Sequence, residues 1–300
     1  MLASVAQLLS GQNLVLALVY GGIYGLLAVG IVLVYRGSRV LNFAQGEVGT
    51  LGLFMAWFLT TKHHLPWLVG AAAAVVVAAA VGLGFERFIV RRMVDAGRLA
   101  VAVATVGLLL FLLAVEFRGY GASPYAVPGP IGGTGFRLAG VVVSPTQVIA
   151  LLVTGAVAVS LNVVLRRTDF GLGVLAAADD PTAVRLVGIR LSRVSAFTWG
   201  AGAAISALAV LLIEPTVGVF APGFASELFV KGLAAALVGG LSSLEGAFLG
   251  GLVVGLVEIE VKSVTLGSRF PGIPTLAIFG LIILVLLARP RGLLGSAVRT

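Results

Sequence analysis

Cysteine is absent from the 300 residues, histidine occurs twice, and Asp, Glu, Lys and Arg together make up only 11% of the chain. The first absence excludes disulfides and thiol chemistry. The scarcity of charge excludes a soluble domain: at 59% hydrophobic residues and a mean hydropathy of +1.13, too few charges remain to cover the apolar surface. Long polar segments are missing as well. No interval between apolar runs exceeds about 27 residues, which leaves no room for a separate nucleotide-binding or catalytic domain, so 1–300 reads as one membrane domain. No Lys or Arg precedes Arg36, so the basic start of a cleavable signal peptide is lacking and the first span is expected to act as the targeting signal. The motifs G-x-S-x-G and H-E-x-x-H do not occur, which leaves an intramembrane hydrolase without a nucleophile or a metal-bound water. His63 and His64 are adjacent, cannot share a helix face to hold a metal, and read as interfacial residues.

What the chain has is hydrocarbon. Runs of the ~20 residues needed to cross ~30 Å of bilayer core occur near 13–35, 67–85, 99–117, 145–165, 194–214 and 273–288, and two more, near 40–61 and 228–260, are interrupted. The net charge of +8 is spread beside these runs rather than gathered in one tract, so it reads as a topology signal and not as a nucleic-acid surface. Short cytoplasmic loops carry the excess of Lys and Arg. That places inside both 86–98, with Arg87, Arg91, Arg92 and Arg98, and 166–193, with Arg166, Arg167, Arg185, Arg190 and Arg193. The intervening 118–144, rich in Gly and Pro, reads as an external loop. Parity then requires 40–61 to cross, with the N-terminus outside. To bring Arg289, Arg291 and Arg299 inside, 228–260 must split into two short crossings, near 228–241 and 245–260. The expectation is an all-α polytopic fold of eight or nine spans, two of them interrupted, with 14 of the 20 basic residues on the cytoplasmic side.

The first interruption is "LNFAQGEVGTLG", Leu41 to Gly52. After Glu47 the apolar run Val48 to Thr60 gives only ~20 Å of helix, so part of N-F-A-Q-G-E must lie within membrane depth or in a locally wet cavity. Asn42, Gln45 and Glu47 read either as a capping box with an acid at the positive helix end, or as a broken helix whose polar groups and freed backbone line a solute path. An ionisable residue at that depth is a functional candidate. Gly46 lies within the polar cluster, while Gly49 and Gly52 read as helix packing. The second interruption, "KGLAAALVGGLSSLEGAFLGGLVVGLVE", puts Ser242, Ser243 and Glu245 at its break and spaces Gly246/Gly250 and Gly251/Gly255 for close helix approach. Together Asn42, Gln45, Gly46, Glu47, Ser242, Ser243 and Glu245 form the candidate substrate pathway. Lys231 follows Glu227 by four residues, the spacing of a helical ion pair near the outer surface.

Within 166–193, Asp180 followed by Pro181 reads as an N-cap and first helical position. The turns after it carry Ala183, Val184, Leu186 and Val187 before Gly188 ends the helix. Such a short amphipathic helix framed by arginines could lie on headgroups; Asp169, Asp179 and Asp180, which anionic lipid would repel, favour a protein partner.

Taken in order, "LNFAQGEVGTLG", "GLGVLAAADDPTAVRLVGI", "SAFTWGAGAAISALAVLL", "LVGGLSSLEGAFLGGLVVGLVE" and "ARPRGLLG" resemble the LivH-type permease of branched-chain amino acid ABC importers, over about residues 13 to 293. The resemblance implies a heteromeric importer of a bacterial cytoplasmic membrane: a LivM-like second permease, two cytoplasmic LivG/LivF-like ATPases and an external binding protein. It implies that Asp180, Pro181, Val184, Arg185, Val187 and Gly188 form the element that couples to an ATPase, and that the interrupted helices border the pathway. ATP and Mg would sit on the partners, since no G-x-x-x-x-G-K-S/T occurs here, and this chain would bind no cofactor. Relatives also carry other small amino acids, and a close branch urea or short amides. A rival of another class is an aquaporin-like channel, because Asn42-Phe43-Ala44 is similar to the half-helix motif of those proteins; they need two such motifs, and no second Asn-x-Ala lies at the other break.

Overall fold

The computed structural model describes residues 10–131, 135–138, 140–186, 188–265, 270 and 272–295, apart from the side chains of Val94, Leu138 and Pro181. Helix α1 (Gly11–Ser38) starts at Ser10, whose hydroxyl accepts the Asn13 N–H, and ends at Arg39, held in the left-handed region at φ 57°. From Gly21 to Val34 every residue of α1 is buried. A helix that is apolar all round belongs in the interior, and α1 is the axis of the fold. After it come α2 (Gln45–Trp57), continued by a π-helical turn over Phe58–Lys62, α3 (Trp67–Phe88), a 3-10 turn over Val90–Ala96, and α4 (Gly97–Tyr120). An antiparallel hairpin of β1 (Phe136–Leu138) and β2 (Val141–Val143) precedes α5 (Pro145–Arg167), which opens on a Ser144/Gln147 capping box. The remainder is α6 (Asp169–Asp179), α7 (Pro181–Leu186), α8 (Leu191–Val217), α9 (Phe224–Gly239), α10 (Leu244–Val264) and α11 (Ile273–Ala288).

Burial separates centre from rim. The most apolar stretches of α1 and α8 are 78% and 72% buried, against 28%, 22% and 17% for α3, α4 and α5. These outer helices present Leu68, Val76, Leu110, Phe111 and Leu152 outward. Large apolar side chains facing out all along a helix are what a hydrocarbon solvent requires, and the chain is an all-α polytopic membrane protein save for the hairpin.

Helix length by itself accounts for fewer spans than the eight or nine expected. Among the described residues, five helices are long and apolar enough to cross a membrane, six if α9 and α10, bent by 119° at their break, count as one span; α11 is shorter. The difference has two sources. The run near 40–61 is helical only from Gln45, residues 40–44 being irregular, and the 228–260 run is α9 and α10 with a four-residue break. The loop 166–193 is also more ordered than a connector, because α6 fills its first half.

The two termini of α1 mark opposite ends of the bundle. At its start Gln12 exchanges two side-chain hydrogen bonds with the Val142 backbone, both 3.1 Å, fastening the hairpin there. At its other end Arg36 pairs with Asp179 at 3.8 Å and Arg39 donates to the Ala178 carbonyl, fastening α6.

Glycine sets how closely the helices meet. On α10, Gly251 and Gly255 rest on Gly25 and Gly21 of α1, while Gly246 and Gly250 rest on Gly239 and Ala235 of α9. One helix thus carries two seams at small-xxx-small spacing, turned to two neighbours. On α2, three residues are about 300° of helical rotation, so each glycine meets a different helix: Gly46 the Ala225 carbonyl of α9, Gly49 Val210 and Ser206 of α8, Gly52 the Ala74 carbonyl of α3. Gly251→Val should drive α1 and α10 apart and cost at least about 1–3 kcal/mol. The melting temperature of the detergent-solubilised protein should fall by several degrees, whereas Gly280→Val, on a face of α11 with nothing within 4 Å, should leave it unchanged. Equal melting of the two variants would contradict the seam.

Candidate functional site

Between α1 and α2 the backbone runs unpaired through the interior, and every polar group there must find a partner. Asn42 Oδ1 accepts the Ala44 N–H at 3.1 Å, and its carbonyl accepts the Gln45 N–H at 3.2 Å. From α4, Thr105 Oγ1 accepts the Phe43 N–H at 3.2 Å and donates to Ala102 O at 2.7 Å. The capping-box reading does not hold, because Gln45 does not reach back to Asn42. Its Nε2 points instead to the Gly202 carbonyl of α8 at 3.4 Å, in the space left by Gly30 and Gly202, and Ser206 Oγ donates to its backbone carbonyl at 2.6 Å. Gly30 and Gly202 lie well inside α1 and α8, and Gln45 is fully buried. Helix α2 therefore begins within the bundle.

Glu47, also fully buried, faces the start of α9. Ser226 Oγ donates to Glu47 Oε1 at 2.5 Å, Thr50 Oγ1 accepts the Ala225 N–H at 3.1 Å, and Glu116 Oε2 of α4 accepts the Gly223 N–H at 3.3 Å. The first N–H groups of a helix have no internal partner and carry partial positive charge. A hydroxyl of α2 and an acid of α4 accept backbone N–H groups at this end of α9 from outside it, and Glu47 takes the Ser226 hydroxyl beside them. Further along the same end of the bundle, buried Glu214 of α8 accepts the Val127 N–H at 3.0 Å and ties down the segment after α4, which bridges Tyr125 to Phe220.

Close by, α1, α8, α9, α10 and α11 border an open cavity of about 760 Å³ lined by Tyr20, Tyr24, Phe220, Glu227, Lys231 and Glu258 among others. Lys231 Nζ lies 2.8 Å from Glu227 Oε1 and 2.7 Å from Glu258 Oε1, and 5.6 Å from the centre of the Tyr24 ring. The expected pair with Glu227 is present. It is half of a larger arrangement, because Lys231 and Glu258 are both buried.

The other candidate residues lie elsewhere. Ser243 caps α10, its hydroxyl accepting the Gly246 N–H at 2.9 Å, and Glu245 takes Arg166 at 2.9 Å and Asn162 at 2.6 Å. With Ser242 they line a groove beside Arg36 and Asp179, at the end of the bundle away from the hairpin. The structure thus gathers Asn42, Gln45, Gly46 and Glu47 around the starts of α2 and α9, and does not bring Ser242, Ser243 and Glu245 to them. Glu116, Glu214 and Glu258 were not singled out from the sequence, although Glu116 and Glu214 are each a lone acid in an apolar run, the signal that drew attention to Glu47.

Helix α7 has the cap its sequence called for: Asp180 Oδ1 accepts the Thr182 and Ala183 N–H groups at 2.8 and 3.0 Å, and Gly188 turns the chain at φ 83°. Val187 lies outside the described residues. Val184, expected on a docking face, is instead buried in the protein's own core, because a six-residue helix lying on the bundle must spend its apolar side on it. Thr182, Ala183, Arg185 and Leu186 form the exposed side, Leu186 at 86%.

Residues 13–287 match the family described as branched-chain amino acid transport system / permease component. The chain is 32% identical to the high-affinity branched-chain amino acid transport system permease protein BraD of Pseudomonas aeruginosa over 296 residues, 95% of each chain. It is 30% identical to the corresponding permease protein LivH of Escherichia coli K12 over 92% of each chain, and 27% identical to a probable LivH of Methanocaldococcus jannaschii over 83% of this chain and 80% of that one. No solved structure matches.

If Glu47 holds the start of α9 through Ser226, Glu47→Leu should destabilise the protein by about 1–3 kcal/mol, the cost of leaving the Ser226 hydroxyl unsatisfied. Ser226→Ala, which removes one bond, should cost about 1 kcal/mol. Thermal melting in detergent reads both, and a Glu47→Leu variant as stable as wild type would refute the role of the Glu47–Ser226 bond.

Proposed function

Because the chain belongs to the family of branched-chain amino acid transport permease components, we propose that it is a membrane-spanning subunit of an ABC-type importer that carries branched-chain or similar small amino acids inward across a bacterial cytoplasmic membrane by alternating access. The observation that carries this reading is end-to-end similarity: the relatives named as branched-chain amino acid permeases align over 92–95% of both chains. A LivM-like second permease, two LivG/LivF-like ATPases holding ATP and Mg, and an external binding protein complete the machine. A passive channel has no such relatives to support it.

In this arrangement the hairpin end faces outward and the α6–α7 end faces the ATPases. Support comes from the arginines: Arg36, Arg39 and Arg166 are all fastened at the α6 end, where cytoplasmic cations belong. Nine crossings with the N-terminus outside accommodate α9 and α10 as two inclined passes. Helix α7 is the coupling element, seated on an ATPase through Thr182, Ala183, Arg185 and Leu186, with Asp180 and Pro181 shaping its start. ATP-driven closure of the ATPases displaces α7, and the bundle rocks between outward-open and inward-open states. The solute path runs past the starts of α2 and α9, where irregular backbone lies inside the bundle.

Affinity purification of tagged protein from its native membrane tests the assembly. Two ATPases and a second permease should co-purify with wild type; Leu186→Asp should lose the ATPases and keep the second permease. Val184→Asp is unsuited to the purpose, since it would break the core. A chain that emerges alone would defeat the importer reading, and solute flux without ATP in the reconstituted complex would favour a channel.

A further inference from the structure

The cavity bordered by α1, α8, α9, α10 and α11 holds charges that packing does not call for. Helix α10 is already held to α1 by Gly251 and Gly255 and to α9 by Gly246 and Gly250, so no ion pair is needed to keep the three helices together. Burying Lys231 and Glu258 is also expensive, since a buried ion pair at best offsets its own desolvation, and apolar residues of similar volume do as well or better. Ionised groups retained under these conditions point to a ligand that uses them.

The chemistry of the lining defines that ligand. The buried charges Lys231 and Glu258 balance each other, and the exposed Glu227 and Lys262 balance at the rim. A net anion or cation entering this space leaves one buried charge without a partner, whereas a zwitterion keeps every charge paired. Lys231 Nζ stands between two carboxylates at 2.8 and 2.7 Å. An entering carboxylate can take Lys231 from one of them, and the ammonium of the same molecule takes the carboxylate released. The Tyr24 ring, already facing one ammonium, offers a second favourable surface for a cation. Ile213, Leu228, Phe220 and Phe224 supply apolar wall for a hydrocarbon side chain, and 760 Å³ falls in the ~300–1,000 Å³ range of small-molecule sites. We propose that this cavity is a binding site for a zwitterionic, aliphatic α-amino acid, with Lys231 receiving the carboxylate and Glu258 and Glu227 the ammonium. The proposal rests on the importer reading and names the site at which the solute pauses.

The test uses the whole importer reconstituted in proteoliposomes with its binding protein and ATP, and reads leucine uptake. Lys231→Met and Glu258→Gln should each lower uptake by about ten- to a hundredfold, the worth of one charge-assisted hydrogen bond. The exchange Lys231→Glu with Glu258→Lys restores the ion pair with its polarity reversed; it should recover thermal stability and not uptake. Full uptake in the exchanged protein, or in both single variants, would show the pair to be structural and overturn the site while leaving the importer reading intact. Lack of leucine import by the wild-type complex would overturn that reading and the site with it. A second readout does not depend on the exchanged protein folding. The chain has no cysteine, so Thr216→Cys or Thr275→Cys places a single thiol on the cavity wall. Leucine should slow its labelling by a maleimide, and isoamylamine, which lacks the carboxylate, should not; equal labelling with and without leucine would overturn the proposal.

Discussion

In hydrocarbon, a backbone N–H or C=O without a partner costs several kcal/mol. This chain breaks its helices inside the bundle, so that constraint governs where its polar residues go. The irregular residues 40–44 are supported by Asn42 and by Thr105 of α4, Ser206 of α8 takes the Gln45 carbonyl, and the exposed N–H groups at the start of α9 are met by Thr50 and Glu116, with Glu47 holding Ser226 beside them. Each interruption of one helix is completed by side chains of others. The starts of α2 and α9 are consequently a single unit, and the polar cluster that looks out of place in the sequence is what makes an irregular interior tolerable.

Close approach is the second requirement, since these side-chain bridges span only short gaps. Glycine supplies it. Gln45 fits because Gly30 and Gly202 leave room on both flanking helices, and Gly46 lets α2 lie against the Ala225 carbonyl, which brings Thr50 and Glu47 to the start of α9. Polar satisfaction and glycine packing are therefore one design read at two scales. The Lys231 cavity belongs to the same design: two glycine seams hold α10, and the ionised groups between the seams are freed from a structural duty.

How much of this was legible depended on whether the signal was local. The shortness of the apolar run after Glu47 was enough to draw part of Asn42–Glu47 into the interior, and Gln45 and Glu47 are buried within the bundle. The cap by Asp180 and the small-residue spacing on α10 were equally local and equally readable. Depth and register were not. Ser242, Ser243 and Glu245 also mark a break, yet nothing in their pattern tells that it lies at a bundle end, where Glu245 keeps 46% of its side chain exposed and meets Arg166. The i,i+4 rule found Glu227 for Lys231 and could not find Glu258, which depends on how α10 slides along α9. Periodicity placed Val184 on an apolar face of α7 without telling whether that face turns to a partner or to the chain's own core.

The inward seat of Val184 carries a mechanical consequence. Helix α7 is pinned by its Asp180 cap, by Val184 in the core and by the Ile189 N–H on the Val184 carbonyl at 3.2 Å, all within a few residues of the start of α8. It has little freedom to swing as a separate paddle. A push on its outer face is delivered to α8, whose other contacts include Gln45 and the Ser206 bond to the α2 backbone. The outer face of α7 and the buried break are thus joined by the first half of α8, from Leu191 to Gly202 and Ser206, and force applied at its start is felt as displacement at the break.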